Sequence, residues 1–260
     1  MLNNVIMEEM TWQEIEQAVE AGKNTAILVA ASMEQHGPHL PTATDTIIGY
    51  ALAEGVAKKL GNALVAPVIR PGLSDHHIGF PGTLTLRLKT FVKVLEEYCQ
   101  CLKRHGFKNT VIFTSHGGNG DGLTAFVPSI AKQLAPDMGL LLVGTMEKSA
   151  LSMQQFLAKH GVTPPKAGVH AGFAETSIML ALKPELVTMD KAAPGLVDEN
   201  FYLPDTIAKS QMDSFLHGIK SQSPNGILGD PTGSEAELGK ALLKLKIRNL
   251  TEEIELNLNN

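Results

Sequence analysis

The chain contains only two cysteines, one tryptophan and no surplus of basic residues. Cys99 and Cys101 are two residues apart in a segment with helical spacing, which is a poor geometry for a disulfide, so we expect a reducing, cytoplasmic location. The net charge of -5, from 27 acidic and 22 basic residues, provides no broad basic field for phosphate contacts. We therefore expect no nucleic-acid partner, and a small-molecule substrate instead.

The start of the sequence lacks a long apolar segment and is polar and acidic, so it predicts neither a signal peptide nor a membrane anchor. The 260 residues are otherwise typical of a globular protein, with 43% hydrophobic and 19% charged residues. We find no repeat, no low-complexity segment and no internal linker in the sequence. These properties predict one domain over residues 1–260 and no association with membranes.

Strand, loop and helix patterns alternate along the chain. A first strand starts at residue 26 and stops at Ser32, and further strands are predicted at residues 63–69, 110–113 and 140–143. Helices are predicted from a capping box of Thr11 and Glu14 towards Gly22, and at residues 47–60, 90–104, 123–134 and 148–160. Two more are predicted at residues 177–182, directly after Glu175, and after Ser234. This order predicts an α/β fold in which a largely parallel sheet has helices on both faces. Residues 192–223 show no clear pattern, and we interpret them as an excursion that closes the site or contacts a neighbouring subunit.

Potential metal ligands are concentrated directly after the first predicted strand. The loop of residues 33–45 contains a glycine and two prolines, which prevent regular structure, and it lies at a strand end where open α/β sheets bind ligands. Four candidates share this loop: Glu34, His36, His39 and Asp45. Two carboxylates and two imidazoles suit zinc, manganese or iron better than calcium or magnesium. Solvated polar residues are the simpler alternative, but four in one braced loop favour a metal site.

Three later segments also bring polar side chains to strand ends or helix starts. They contribute His76 and His77 in the loop of residues 70–83, His116 in the segment SHGGNG, and His170 with Glu175 in residues 168–176. The glycines permit close approach of the backbone to a ligand. A phosphate cradle is an alternative for SHGGNG, but the Walker lysine and the GxGxxG spacing are missing. One of His76 and His77 is expected to face the substrate unless both only line their loop, and His39 is expected to orient a ligand rather than bind metal.

Four stretches together resemble the creatininase, or creatinine amidohydrolase, family. They are MEQHGPHLPTATD at residues 33–45, FPGT at 80–83, SHGGNG at 115–120, and HAGFAETS at 170–177 with GDPTGSEAELG at 229–239. The resemblance implies a three-layer α/β/α fold and a centre of two divalent metal ions, zinc first, with manganese or iron as alternatives. It also implies hydrolysis of amide bonds in small, often cyclic molecules and a homo-oligomer, commonly a hexamer.

The resemblance also assigns roles to single residues. The family's metal ligands correspond to Glu34, His36, Asp45 and His116. Asp45 matches the ligand that bridges both ions, and His170 matches a histidine that handles protons near the substrate. Creatininases proper have a glutamate ligand where Gly118 stands here, and tryptophans against the creatinine ring where Met146 and Lys166 stand. The resemblance therefore points to HGGN-type members, which include formamidopyrimidine-nucleotide deformylases and peptide-processing amidohydrolases, and creatinine is expected to be a poor substrate.

We expect a dinuclear metal-dependent hydrolase that cleaves a non-peptide C–N bond, in a formamide, lactam or cyclic amide, through a metal-bridging hydroxide. His170 and Glu175 are the expected catalytic residues: His170 as general acid, and Glu175 as the replacement ligand or, alternatively, as a group that orients His170. The expected substrate-binding residues are His76, His77, Gly117, Gly118 and Asn119, with the amides of residues 117 and 118 as oxyanion donors. The alternatives are a lactonase or esterase on the same site, a non-catalytic metal-stabilised scaffold and a nucleotide-binding module.

Overall fold

The computed structural model describes residues 4–197 and 212–258, except for the side chains of Met146 and Glu147. Within these ranges the chain forms a parallel sheet of four strands: β1 (Thr25–Ala30), β2 (Ala63–Val65), β3 (Asn109–Thr114) and β4 (Gly139–Leu142). The strand order β2-β1-β3-β4 puts β1 and β3 in the middle, where they pair along their whole length. The predicted parallel sheet is confirmed.

Helices connect the strands and cover both faces of the sheet. In chain order, those with described bounds are α1 (Trp12–Glu20), α2 (Thr44–Leu60), α3 (Leu88–Arg104), α4 (Gly120–Leu134), α5 (Met146–Ala158), α6 (Pro164–Ala167), α7 (Phe173–Leu182), α8 (Ile219–Gln222) and α9 (Ala236–Leu258). In β1, Ile27 and Val29 pack with α2, α7 and α9, whereas Leu28 and Ala30 pack with α1, α3 and α4. Because successive side chains of a strand point to opposite sides, an apolar strand needs a helix layer on each face. The expected three-layer α/β/α architecture is therefore confirmed.

Two predicted boundaries are wrong for identifiable reasons. The strand predicted at residues 63–69 ends at Val65. The N–H of Ala66 still donates to the carbonyl of Ile27, but the N–H of Val68, the next one on this side, donates to Tyr50 Oη instead. Ile69 then rejoins the sheet edge, where its N–H donates to the carbonyl of Val29 at 2.9 Å. Glu175 was expected to precede a helix, but it lies in the first turn of α7. That turn starts earlier because the N–H of Thr176 already bonds to the carbonyl of Gly172 at 3.1 Å.

The last helix fixes the position of α7, which carries Glu175. A Cβ atom at Gly239 of α9 would overlap the carbonyl of Ser177, so glycine permits the two helices to touch. The N–H of Glu235 also donates to Ser177 Oγ at 3.0 Å. Although α9 has 23 residues, no helix in the described part of the chain is both long and apolar enough to cross a membrane.

The excursion predicted over residues 192–223 is only partly described, since residues 198–211 lie outside the described ranges. Before this gap, the N–H of Leu196 donates to the carbonyl of Ile227 at 2.9 Å. After it, the ring of Phe215 lies 4.4 Å from the ring of His76. Both flanks therefore pack against loops of the candidate site, and its closing role or subunit contact stays a prediction.

Candidate active site

Most of the predicted site residues meet at the carboxyl edge of the sheet. Glu34 and His36 follow β1, His116 follows β3, and Asp45 and Glu175 lie in the first turns of α2 and α7. Parallel strands end at a common edge, so residues far apart in sequence converge there. The buried members of the cluster are Glu34, His36, Asp45, His77, His116 and His170.

Asp45 faces two imidazoles with its two carboxylate oxygens. Its Oδ1 lies 3.4 Å from Nε2 of His36, and its Oδ2 lies 3.3 Å from Nδ1 of His116. The hydroxyl of Ser32 donates to Oδ2 at 2.6 Å and fixes the carboxylate. A carboxylate oriented towards two separate nitrogen donors has the arrangement of a ligand that bridges two metal ions.

Glu34 and His36 have buried polar atoms that lack hydrogen bonds. Glu34 Oε1 lies 3.2 Å from Nδ1 of His116, 3.3 Å from Nε2 of His77 and 3.6 Å from Nδ1 of His170. Within residues 4–197 and 212–258, however, neither oxygen of Glu34 nor Nε2 of His36 has a hydrogen-bond partner of acceptable geometry. Buried polar groups are normally satisfied, because an unpaired one costs about 1–3 kcal/mol and an unpaired charge more. A cation between these atoms would satisfy all of them.

The donor atoms form overlapping sets that could each hold an ion. Three such groups are Glu34 with His36 and Asp45, His36 with His170 and Glu175, and Glu34 with His77 and His170. Each group places its donor atoms within 4.8 Å of one another. Carboxylate oxygens and imidazole nitrogens together fit zinc, manganese or iron, so the residues present fit the divalent ions implied by the resemblance.

Glu175 contacts both the cluster and its own backbone. Its Oε2 lies 3.8 Å from Nε2 of His36 and accepts a hydrogen bond from the N–H of Ala171 at 2.6 Å. Ala171 has a φ of 53°, which is rare for a residue other than glycine, so this bond supports a strained turn beside His170. Burial raises the pKa of the Glu175 carboxyl, although the charge of His36 opposes this effect. The position fits both expected roles, metal ligand and support of His170.

The acidic and basic groups of the cluster perturb one another strongly. Burial alone lowers the pKa of His36, but Asp45, Glu175 and Glu34 outweigh burial and raise the pKa to about 10. Burial also lowers the pKa of His116, and Glu34 with Asp45 raises it well above the usual value. Although burial raises the pKa of Asp45, the charges of these two imidazoles hold it well below the usual range. The same ring nitrogens bind a proton or a metal ion, so the two compete.

The neighbouring histidines His76 and His77 point to different surroundings. Nε2 of His77 lies 3.3 Å from Glu34 Oε1, inside the cluster. The His76 ring instead stacks on that of His116, with centroids 5.7 Å apart, and contacts Phe215. Burial lowers the pKa of His76 to about 3 and that of His77 well below its usual value. His77 is thus the member of the pair that reaches the candidate ligand Glu34.

The side-chain amide of Asn119 is hydrogen-bonded to the backbone of two other segments. Its Oδ1 accepts from the N–H of Leu73 at 2.9 Å, and its Nδ2 donates to the carbonyl of Ala31 at 3.0 Å. The side chain is fully buried. Both ends of the amide are hydrogen-bonded within the protein, so Asn119 connects two loops of the site, and its expected contact with substrate stays a prediction.

Gly117 and Gly118 form a short 3-10 turn next to His116. Gly117 is an exposed residue. A Cβ atom at Gly118 would collide with the His116 ring and with the carbonyl of Leu73. A larger side chain therefore cannot be accommodated at position 118 without displacing His116.

His39 is not a member of the three donor groups found among the described residues. Its Nε2 lies 2.9 Å from Oγ1 of Thr176, so it connects the first loop to α7. Burial, together with the charge of His36, lowers its pKa to about 4. This contact is compatible with the predicted role of His39, which is to orient a candidate ligand without binding metal itself.

Three polar residues of the site were missed by sequence reasoning: Ser32, Gln35 and Ser74. Ser32 supports Asp45, and Ser74 Oγ lies 3.3 Å from Nε2 of His116. Gln35 contacts His77 and His170, at 2.9 and 3.0 Å. The signal for Ser32 and Gln35 was their position beside the ligand motif, whereas the contact of Ser74 depends on how two distant loops meet.

Comparisons with known proteins agree with this architecture. A family model described as creatinine amidohydrolase, of the creatininase family, matches residues 8–254. A mycofactocin precursor peptide peptidase of Mycolicibacterium smegmatis is 29% identical over 235 residues, which are 88% of this chain and 83% of that protein. A creatinine amidohydrolase of Pseudomonas putida is 29% identical over 202 residues, 74% of this chain and 76% of that protein.

The structure is also similar to solved structures of creatininases. The solved structure of a creatininase with a tryptophan-to-alanine substitution has a TM-score of 0.80 and 25% identity, and 98% of each chain is covered. The family match extends over nearly the whole chain and includes every segment that builds the site. The chain therefore belongs to the creatininase family of amidohydrolases.

Proposed function

We propose that this protein is a hydrolase that depends on two divalent metal ions and cleaves a C–N amide bond. Glu34, Asp45 and His116 would hold one ion, and His36, Asp45 and Glu175 the other. The observation that carries the proposal is the orientation of Asp45, whose two oxygens lie 3.4 and 3.3 Å from imidazoles of different loops. The unsatisfied buried atoms of Glu34 and His36 support the same assignment.

When bound, the ions supply Lewis acidity, which polarises the amide carbonyl and lowers the pKa of a water molecule. The donor set favours zinc, with manganese or iron as alternatives. Ser32 keeps Asp45 in place through its 2.6 Å hydrogen bond, and the N–H of Ala171 keeps Glu175 in place. These contacts restrict both carboxylates to one orientation, which a catalytic site requires.

His170 is the residue that we assign to proton transfer. Its Nδ1 lies 3.6 Å from Glu34 Oε1, so this nitrogen faces the cluster. Burial lowers its pKa well below the usual value, and the charge of His36 contributes in the same direction. A neutral imidazole beside the reacting atoms can accept a proton from the nucleophile and return it to the leaving nitrogen. The exposed amide of Gly117 is the candidate donor to the developing oxyanion.

The substrate that we propose is a small molecule with a formamide, lactam or cyclic amide group. A peptide bond is the second candidate, because the relative from Mycolicibacterium smegmatis is a peptide peptidase. An ester or lactone would be attacked by the same machinery, and a metal-stabilised scaffold without activity is the remaining alternative. A homo-oligomer and a cytoplasmic location stay predictions.

The decisive experiment restores metal to the purified, metal-free protein. Zinc, manganese or iron is added singly, metal per subunit is measured, and formamides, lactams, short peptides and lactones are screened in parallel. We expect two ions per subunit and amide hydrolysis that disappears with chelation. Binding of two ions without any hydrolysis would support the scaffold instead, and faster cleavage of lactones than of amides would support the lactonase.

A further inference from the structure

Gln35 lies between two candidate ligands in sequence, and its side-chain amide reaches two other histidines of the site. Its Nε2 lies 2.9 Å from Nδ1 of His77, 3.0 Å from Nε2 of His170 and 3.0 Å from the carbonyl oxygen of Gly226. The residue is buried. An amide nitrogen has two hydrogens, so at most two of these three neighbours accept a hydrogen bond from it.

The orientation of the amide follows from two backbone groups. The N–H of Gly37 donates to Oε1 of Gln35 at 2.9 Å, and the carbonyl of Gly226 can only accept. An inverted amide would place oxygen against oxygen at Gly226 and N–H against N–H at Gly37. The segment with Gly226 is itself held in place, because the N–H of Leu228 donates to the carbonyl of His170 at 2.9 Å. The amide therefore has one stable orientation.

A backbone carbonyl also defines the protonation of His170. Its Nε2 lies 2.8 Å from the main-chain oxygen of Gln35, which can only accept. Nε2 must therefore carry the hydrogen of the neutral ring. Nδ1 then has a free lone pair, and this nitrogen faces Glu34 Oε1 at 3.6 Å.

The remaining N–H of the Gln35 amide is left for His77. Because one hydrogen goes to Gly226 and His170 Nε2 is itself a donor, the second hydrogen points to Nδ1 of His77. Nδ1 must accept, so the neutral ring carries its hydrogen on Nε2. That nitrogen lies 3.3 Å from Glu34 Oε1.

We propose that Gln35 is a positioning residue that gives two adjacent histidines opposite roles at the site. Its side chain makes His77 a hydrogen-bond donor, and its main-chain carbonyl leaves His170 an acceptor. The group of Glu34, His77 and His170 then does not hold a third ion, because the His77 nitrogen that faces Glu34 already carries a proton.

The catalytic consequence rests on the proposed function. His170 Nδ1 takes one proton from the attacking water and delivers it to the nitrogen of the amide as the C–N bond breaks, so the imidazole is neutral before and after the reaction. His77 Nε2–H, which lies beside Glu34 Oε1 at 3.3 Å, donates to the carbonyl oxygen of the substrate as negative charge develops there. Neither histidine can exchange its role with the other while Gln35 is in place.

The ring protons are measured directly in metal-free protein labelled with 15N-histidine. Long-range 1H–15N spectra distinguish bare ring nitrogens from protonated ones, and His77→Gln and His170→Gln assign the signals. We expect a protonated Nε2 and a bare Nδ1 in both residues. A protonated Nδ1 in wild-type His77 overturns the proposal, and this measurement needs no variant of Gln35.

Gln35→Glu tests whether the side chain of Gln35 determines which ring nitrogen of His77 is protonated. A carboxylate replaces the N–H donor with an acceptor, so the Nδ1 signal of His77 should move to the position of a protonated nitrogen while His170 stays unchanged. Asn225→Asp is the matched control, since it makes the same chemical change next to Gly226, in the loop that Gln35 contacts, where Asn225 bonds to Pro194 and Ile227. It should leave both histidines unchanged. An unchanged His77 in folded Gln35→Glu overturns the proposal.

Kinetics then measure the effect on the reaction. Loss of a residue that orients catalytic groups from outside typically costs about 10- to 100-fold in activity. We expect that decrease in kcat for Gln35→Glu, with two ions still bound and little change in KM. An unchanged kcat overturns the catalytic role of the tautomers. The spectra involve neither metal nor substrate, so a failure of the proposed hydrolysis would leave their result intact.

Discussion

Oδ1 of Asp45 lies 3.4 Å from Nε2 of His36, and both side chains are almost completely buried. In the described part of the chain this imidazole nitrogen has no hydrogen-bond partner, although an acidic oxygen is so close. Donor and acceptor are close but misaligned, as ligands are when they point to a common ion rather than to each other. The other oxygen of Asp45 makes the equivalent approach to His116.

Asp45→Ala should remove more metal than His116→Ala. A bridging ligand serves both ions, whereas a terminal ligand serves one. We expect fewer than one ion per subunit in Asp45→Ala and about one in His116→Ala, measured by elemental analysis after dialysis. Activity should be lost in both. Equal metal content in the two variants would contradict the bridging role.

Glu175→Gln should lose the second ion and keep the turn at Ala171. The amide oxygen of glutamine can still accept the hydrogen bond from the Ala171 N–H, which is 2.6 Å long in the wild type. The negative charge towards His36 is removed. Metal analysis together with thermal unfolding of the metal-free protein separates the two functions. Retention of both ions at full occupancy would show that Glu175 only supports the backbone.

Gly118→Ala should destabilise the metal-free protein by about 1–3 kcal/mol, because the added Cβ meets the His116 ring and a rigid carbonyl. Gly122→Ala is the control in the same segment. Its Cβ would lie 3.1 Å from Leu73 Cδ1 and 3.2 Å from Leu88 Cδ1, the ends of two flexible side chains. Urea denaturation measures the unfolding free energy of both variants. Equal values would show that position 118 has more room than the structure indicates.

Creatinine should be hydrolysed marginally or not at all. The position that matches a ring-stacking tryptophan of creatininases holds Lys166, whose Nζ lies 5.5 Å from the Phe173 ring centre. A lysine gives no flat surface for the ring, so orientation is lost together with affinity. Turnover of creatinine at a rate similar to that of the best amide substrate would disprove this argument. The other such position, Met146, has no described side chain.

The metal-free protein should lose stability as the pH falls from about 6.5 towards 4, partly through His39. The pKa of His39 is lowered to about 4 by burial and by the charge of His36. The unfolded chain, with an ordinary pKa near 6.5, therefore binds the proton first, and each step of acidification favours unfolding. The contribution is fully present above pH 6.5 and is lost as the pH falls through the folded-state value.

His39→Gln tests this linkage. Glutamine can keep a hydrogen bond to Thr176 but does not titrate, so the variant should show a shallower decrease of unfolding free energy over the same pH range. Chemical denaturation at several pH values gives the slope of unfolding free energy against pH for the wild type and for His39→Gln. Identical slopes in the two proteins would place the acid sensitivity elsewhere, with His76 as the next candidate because its pKa is lowered to about 3.

Local patterns predicted the order of the elements and the ligand motif. The apolar segment that became β1 is buried on both faces, and such segments are recognisable without any tertiary information. β1 and β3 end shortly before polar residues begin, so the loops with Glu34, His36, Asp45 and His116 could be proposed as parts of one site. The capping box of Thr11 and Glu14 is local as well, and the structure confirms it.

The tertiary structure alone decided the roles of residues whose partners lie on other loops of the site. Asn119 is adjacent to the glycines in sequence, yet Leu73 and Ala31 occupy its amide. Gln35 looked like a spacer between ligands, yet its amide reaches histidines 42 and 135 residues away. The sequence determines which donors are available and where the first strand ends, because these depend on neighbouring residues. Which donor faces which partner depends on the packing of separate loops, and no local pattern records it.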